Sequence, residues 1–387
     1  MIVVDTLRRD HLSPYGSSLE TPNVAALAER GQVFTNAVSS FHQTTMSTAA
    51  LFTGLTPSLE TGDRRESLPW TGRTWCGLSR FAAPQGDTCV PRGLTTLAED
   101  LRDAGYWTAA VISNRLLFEP SGYEQGFDSW VEVGASADEV MKLPPETRAA
   151  SRSAAQIQRA VKALLAERPS NRFFLYLHYV DVHDWGLVSR EYAETVELFD
   201  RELGKLLEQL EADGILEDAV VVFTSDHGEA LGEEHALQST RTHLGNPSFE
   251  PVLEIPLIVA PAVFDDSSRL VRSQDIGGLV KQIAGIGAQA SRDLEPDELF
   301  LAEKRWQTYR KGRFKSMFRR KNMRGWLFDI ETDPGEKINL VEERPDIALE
   351  HLRRVVELTH SLAGQVAEGE ELTEQDRERL RALGYLQ

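Results

Sequence analysis

Residues 219–234 read AVVVFTSDHGEALGEE, an apolar run that ends abruptly at Asp226-His227-Gly228. A strand that is apolar without alternation is covered on both faces, as in a parallel sheet, rather than wetted on one. The Asp-His pair before a glycine puts two donor side chains where the chain must turn tightly. The same grammar recurs outward from this stretch. Ile2-Val3-Val4 ends at Asp5, and FFLYLHYV (173–180) leads into Asp181 and His183. WTAAVIS (107–113) and EIPLIVAP (254–261) complete the apolar set, with QVFTNAVS (32–39) as a further strand. Helical patterns separate them: PNVAALAERG (22–31), TTMSTAALFTGL (44–55), GLTTLAEDLRDAGY (93–106), residues 147–167, and ETVELFDRELGKLLEQLEADG (194–214). Strands alternating with helices predict a mostly parallel sheet with helices on both faces, whose ligands gather at the carboxyl ends of the strands.

The chain has 387 residues, 41% hydrophobic and 26% charged, which is ample for a large core. Sixty acidic residues against 42 basic ones leave a net charge of −18, the wrong sign for a broad nucleic-acid-binding face. No run of about 18 apolar residues is present to span a bilayer. The chain as it stands shows no signal peptide and reads as cytoplasmic; a first strand of only three residues before Asp5 raises the expectation of missing upstream residues, in which case the protein would be extracytoplasmic. Residues 57–92 lose all periodicity and form a long polar insertion that holds both cysteines, Cys76 and Cys89. These are either a small disulfide loop or two loop thiols. From about residue 301 the character changes: Lys, Arg and aromatics interleave from Lys304 to Trp326 as an antiparallel hairpin, and the helix PDIALEHLRRVVELTHSLAGQVA (345–367) and an acidic tail follow. The expected organisation is a catalytic α/β unit over 1–300 and a small α+β subdomain over 301–387.

Asp5, Asp226 and His227 are oxygen and imidazole donors suited to Mg, Mn, Ca or Zn. Thr44 opens a helix, where its hydroxyl and the free helix N–H groups form an anion position, or where it is a plain cap. His178, Asp181, His183 and His243 are available as a general acid or as anion contacts.

IVVDTLRRDHLSPYG (2–16), TPNVAALAERGQVFTNAVS (21–39), TTMSTAALFTG (44–54), VVFTSDHGEALGEE (221–234) and LFDIETDPGEKINL (327–340) together resemble the sulfatase family of the alkaline phosphatase superfamily. The resemblance runs to the closing DRERLRALGYL (376–386). It implies a three-layer α/β/α sandwich and a divalent metal, one ion rather than two, on Asp5, Thr44, Asp226 and His227. It implies Thr44 as nucleophile, with His183, or in reserve His178, binding the ester or protonating the leaving group. His243, Arg115, Asp181 and Ser47 are then the expected substrate contacts. Where the family carries Cys or Ser, oxidised to formylglycine, this chain has Thr44. Its extra methyl on Cβ bars oxidation to an aldehyde, and Thr48 replaces the arginine that supports formylglycine. Superfamily members with a threonine nucleophile transfer phosphoryl groups through phosphothreonine. The expected reaction is hydrolysis of a phosphate mono- or diester on a small molecule or glycan. The alternatives are sulfate ester hydrolysis by unmodified threonine and an inactive metal-binding relative. The basic 304–324 segment is either a packed hairpin or a nucleic-acid surface.

Overall fold

The structure is a computed structural model that describes residues 1–57, 90, 92–119, 121–134, 153–170, 172–186, 190–237, 241–243, 248–287, 294–303 and 305–366. Cys76, Cys89, nearly all of the 57–92 insertion, Lys304 and the acidic tail lie outside the described residues. In chain order the elements are β1 (Ile2–Val4), α1 (Pro22–Glu29), β2 (Gln32–Val33), β3 (Ala37–Val38), α2 (Thr44–Thr53), α3 (Leu97–Asp103), β4 (Trp107–Ile112), β5 (Ser129–Glu132), α4 (Ser153–Glu167), β6 (Phe173–Tyr179), α5 (Tyr192–Ala212), β7 (Val221–Ser225), α6 (Glu250–Leu253), β8 (Leu257–Ala260), β9 (Val271–Arg272), α7 (Ser273–Ile283), β10 (Glu298–Ala302), β11 (Trp306–Lys311), β12 (Phe314–Arg319), β13 (Arg324–Asp329) and α8 (Pro345–Val366).

The main sheet has the order β2-β8-β7-β1-β6-β4-β5. Its five strands from β7 to β5 are parallel, and β8 runs antiparallel to β7. Alternation of side chains splits the core in two. Val3, Ala110, Ile112, Phe174 and Tyr176 pack with α2, α3 and α7 on one face. Ile2, Val4, Ala109, Val111, Leu175, Leu177 and Tyr179 pack with α1, α4 and α5 on the other. That double burial is why these strands read as unbroken apolar runs. Local signals set the helix ends as well: Thr96 and Glu99 form a reciprocal capping box that starts α3.

One strand expectation is corrected. QVFTNAVS is two short strands in different sheets: β2 pairs with β8, and β3 pairs with β9. Between them the chain is held by single backbone contacts, Phe34 N–H to Leu257 O (2.9 Å) and Val271 N–H to Asn36 O (2.9 Å), so it changes partner sheet within three residues.

The basic segment is more than a hairpin. β10 to β13 form a four-stranded antiparallel meander with α8 packed across one face through Phe300, Tyr309, Val355 and Leu358. Leu299 and Leu301 on the other face belong to the core of the main sheet. Lys315, within the basic run, is fully buried and ion-paired to Glu250 and Glu336, each at 2.8 Å. No helix among the described residues is long and apolar enough to cross a membrane.

Candidate active site

The carboxyl ends of β1, β6, β7 and β4 converge beneath the start of α2, and the site is assembled there. Ser225, the last residue of β7, binds the β1 and β7 loops together. Its Oγ lies 2.6 Å from the carbonyls of Val4 and His227 and accepts from Leu7 N–H at 3.0 Å. This brings Asp5, Asp226 and His227 together, with donor atoms within 4.8 Å of one another and all three side chains buried. Gly228 is required next. A Cβ there would stand 2.1 Å from Pro251 O, and its N–H donates to Val252 O at 2.7 Å. Thr6, directly after Asp5, holds φ at +60°, a strained value for a β-branched residue.

Hydrogen bonding decides which atoms of the triad face inward. Asp226 Oδ1 accepts from the N–H groups of Thr6 (3.2 Å) and His227 (2.8 Å), while Oδ2 is buried without a partner. His227 Nδ1 donates to Gly228 O at 2.8 Å, so the Nε2 lone pair is presented to the site. Asp5 Oδ2 accepts from Asn114 Nδ2 at 2.6 Å, and its Oδ1 is likewise orphaned. Burial, and then the charge of Asp226, pushes the Asp5 carboxyl up to about 8. Burial also raises Asp226 and, with His243 beside it, holds His227 well below the usual histidine range. Two buried carboxylates with free oxygens and a neutral imidazole lone pair fit a divalent cation, which would satisfy every orphan at once.

Thr44 is the first residue of α2. Its Oγ1 lies 3.4 Å from Asp5 Oδ2 and 3.3 Å from His227 Nε2. Gln43 caps the helix with no side-chain hydrogen bond to its N–H groups, so the first turn points unpaired donors toward the triad. His243 packs on His227 with ring centroids 4.6 Å apart, and His183 stands 5.6 Å from His243. Glu229 grips His243 at two points: its carboxylate accepts from the backbone N–H at 2.5 Å and from Nδ1 at 3.0 Å, which leaves Nε2 free. Arg8, buried and paired with Asp10, reaches Glu229 O at 3.1 Å and ties the β1 loop to this arm. His183 is 37% exposed at the mouth, with Nδ1 3.0 Å from Asp184 Oδ1. Burial works against its charged form, but the carboxylates of Asp5, Asp184 and Glu229 raise it to about 10.

Other expected residues go elsewhere. Asp181 has both carboxylate oxygens engaged at the start of α4, by the Ser153 hydroxyl and Ala154 N–H, and so is a helix cap rather than a substrate contact. Ser47 is buried one turn into α2, bonded to Phe41 O (2.7 Å) and Ser39 Oγ (2.8 Å); it braces the loop before Thr44 and does not face substrate. Arg115 is exposed, its guanidinium 5.9 Å from the Phe118 ring. The neighbouring Asn114 is the side chain from that turn that reaches the site. His178 is fully buried beneath α2, so it has no path to a leaving group at the mouth. Sequence reasoning missed Asn114, Glu229 and Arg8. Asn114 lies two residues past the end of β4, while Glu229 and Arg8 each lie four residues past the ends of β7 and β1, so only a search of the whole strand-end loops would have found them.

The profile of the sulfatase family matches residues 1–262. The chain belongs to the sulfatase family. Among curated relatives, N-acetylgalactosamine-6-sulfatase of Canis lupus familiaris is 26% identical over 272 residues, covering 60% of this chain and 50% of that one. This sulfatase-family chain thus spans about half the length of the curated relatives it matches. Among solved structures it resembles the phosphonate monoester hydrolase of Agrobacterium radiobacter, with a TM-score of 0.68, 16% identity and 97% of each chain covered. It also resembles a protein solved in complex with its substrate D-glucosamine-2-N,6-O-disulfate, with a TM-score of 0.64, 16% identity, and 96% and 99% covered. These two likenesses establish the alkaline-phosphatase-like fold, a mostly parallel α/β/α sheet with a small antiparallel C-terminal sheet.

Proposed function

We propose that this sulfatase-family chain is a metal-dependent hydrolase that cleaves phosphate mono- or diesters through Thr44. The observation that carries the reading is the position of the Thr44 hydroxyl, inside the Asp5/Asp226/His227 cluster and at the amino end of α2. Its β-methyl excludes conversion to an aldehyde, so an unmodified hydroxyl must do the work. A single divalent cation, held by Asp5, Asp226, His227 and Thr44, would supply the charge that lowers the hydroxyl pKa and screens the ester's oxygens. The single cluster of this kind among the described residues supports one ion rather than two.

The chain's own groups divide the remaining tasks. Thr44, having lost its proton to solvent, attacks phosphorus in line, and the bond to the ester oxygen breaks. Protonated His183, open to solvent at the mouth, gives its proton to the departing alkoxide. The N–H groups of the first turn of α2 take the phosphoryl oxygens, with the His243 ring, fixed by Glu229, beside them. His183 then accepts a proton from water, whose oxygen attacks phosphorus, releases phosphate and restores Thr44. The structural neighbours include a phosphonate monoester hydrolase and a protein bound to a sulfated sugar substrate, which supports an anionic ester on a small molecule or glycan as the substrate class.

The test is a parallel assay of aryl phosphate, bis-aryl phosphate and aryl sulfate, with and without chelator, on wild type, Thr44→Ala and Thr44→Ser. Chelator-sensitive phosphoester cleavage, lost in Thr44→Ala and retained in Thr44→Ser, supports the reading. Dominant sulfate cleavage replaces it with the second reading, a sulfate ester hydrolase with an unmodified threonine, which the curated sulfatase relatives favour.

A further inference from the structure

His178 is a buried group for which the proposed reaction has no use. It is 0% exposed, and neither Nδ1 nor Nε2 has a hydrogen-bond partner. Its strand neighbours in register, Val3 and Ile112, are apolar and offer it nothing. An unpaired imidazole in a protein interior is costly and persists where something compensates it. Its Nε2 is directed at Asp226 Oδ2, 3.9 Å away, which is the orphaned oxygen of that carboxylate. The opposite oxygen of Asp226 is already held by the Thr6 and His227 N–H groups. Asp226 is therefore pinned on one side, and on the other its Oδ2 is approached by the Thr44 hydroxyl, by His227 Nε2 at 3.6 Å and, from beneath, by the otherwise unengaged His178 ring. The His178 distance is too long for a hydrogen bond in this state and short enough for one after a small shift.

We propose that His178 is a positioning residue for the metal centre, an outer donor whose Nε2–H fixes Asp226 Oδ2 when a cation draws that carboxylate inward. The inference rests on the metal reading given under Proposed function. His178 does not itself belong to the ligand cluster, which closes on Asp5, Asp226 and His227. It acts on affinity through Asp226 and touches neither substrate nor the reacting atoms. Outer donors to metal ligands commonly change affinity by about 10- to 100-fold when removed.

The experiment is calorimetric titration of the metal-free chain with Mn²⁺ for wild type, His178→Phe and His178→Gln, alongside melting of each metal-free protein. Expected are Mn²⁺ binding weakened about 10- to 100-fold in His178→Phe, partial recovery in His178→Gln, which restores an N–H donor, and a metal-free Tm of His178→Phe no lower than wild type. A merely structural histidine would give the reverse: a lower metal-free Tm and Mn²⁺ affinity within about twofold of wild type. That result overturns the inference. Wild type that binds no Mn²⁺, Mg²⁺, Ca²⁺ or Zn²⁺ overturns the metal reading itself, and the inference with it. If His178→Phe does not fold, the wild-type imidazole ¹⁵N resonances decide instead. A shift of the His178 Nε2 signal on adding a diamagnetic cation, Mg²⁺ or Ca²⁺ according to which binds, supports the proposal, and an unmoved signal refutes it.

Discussion

Replacing Lys315 by Met should be among the most damaging single changes in the C-terminal sheet, although it lies outside the candidate active site. Its ammonium is fully buried on β12, 2.8 Å from Glu250 Oε1 and from Glu336 Oε1, and it donates to Ser248 O at 2.6 Å. The two carboxylates are 4% and 1% exposed, so neither can recover water when the cation is lost. Burial resists ionisation of Glu250, yet Lys315 and Arg310 hold it below the ordinary carboxylate range. Removing one partner of a buried ion pair costs about 3–5 kcal/mol. Glu250 keeps Arg310 at 3.3 Å, while Glu336 keeps, among the described residues, the Glu250 N–H at 2.8 Å and His235 Nε2 at 3.5 Å. The lower end, about 3 kcal/mol, is therefore expected, most of it arising from Glu336. Adding Glu336→Gln to Lys315→Met removes the stranded charge and should return about 1–2 kcal/mol, a non-additivity that a double-mutant cycle reads directly. Urea denaturation followed by circular dichroism gives the numbers. Lys315→Met as stable as wild type, or strict additivity of the pair, would refute the reasoning.

Four further outcomes follow from the same geometry. Gly228→Ala forces a Cβ to 2.1 Å from the Pro251 carbonyl, so it should destabilise by about 2 kcal/mol or more and abolish Mn²⁺ binding, checked by melting and titration. Asp5→Asn removes one of two facing buried carboxylates; the metal-free Tm should rise, while the stabilisation on adding cation, about 2.7 kcal/mol at 100 Kd in wild type, should vanish. Burial opposes ionisation of Glu298, but hydrogen bonds from Arg354 and Tyr309 hold it near 2. A depressed carboxyl stabilises above its unfolded pKa of about 4.3, so this contribution should fade as pH falls from about 4 to 2, and Arg354→Met should flatten that part of the stability curve. Glu229→Ala frees His243 from its clamp and, assayed below the melting temperature of the variant, should lower kcat/KM for the best ester by about 10-fold or more; an unchanged kcat/KM would remove His243 from the anion site.

Much of the architecture was legible in the chain itself. The apolar runs at 2–4, 107–112, 173–179 and 221–225, unbroken by polar alternation, could only be strands covered on both sides. Asp5, Asp226 and His227 followed because donors directly after such strands share one edge of the sheet. The helices at 192–212 and 345–366 followed from their period and their stops. Partner choice was not legible. Residues 32–39 have the composition of one strand and divide between two sheets, because Leu257 and Val271 offer them different edges. Nor could sequence separate Asp181 from Asp226: both follow strand β6 or β7, but the start of α4 lies within reach of one and backbone amides with a free oxygen surround the other.

The sequence alone thus determined the layers and which donor side chains stand at the strand ends, because burial on two faces and the chemistry of a side chain are properties of the chain read locally. Only the tertiary structure decided which oxygen of each carboxylate is free, that Asn114 rather than Arg115 reaches Asp5, that Glu229 holds His243, and that His178 lies under α2 facing Asp226. These are outcomes of contacts between residues as many as 220 positions apart, fixed by strand order and packing rather than by any local pattern.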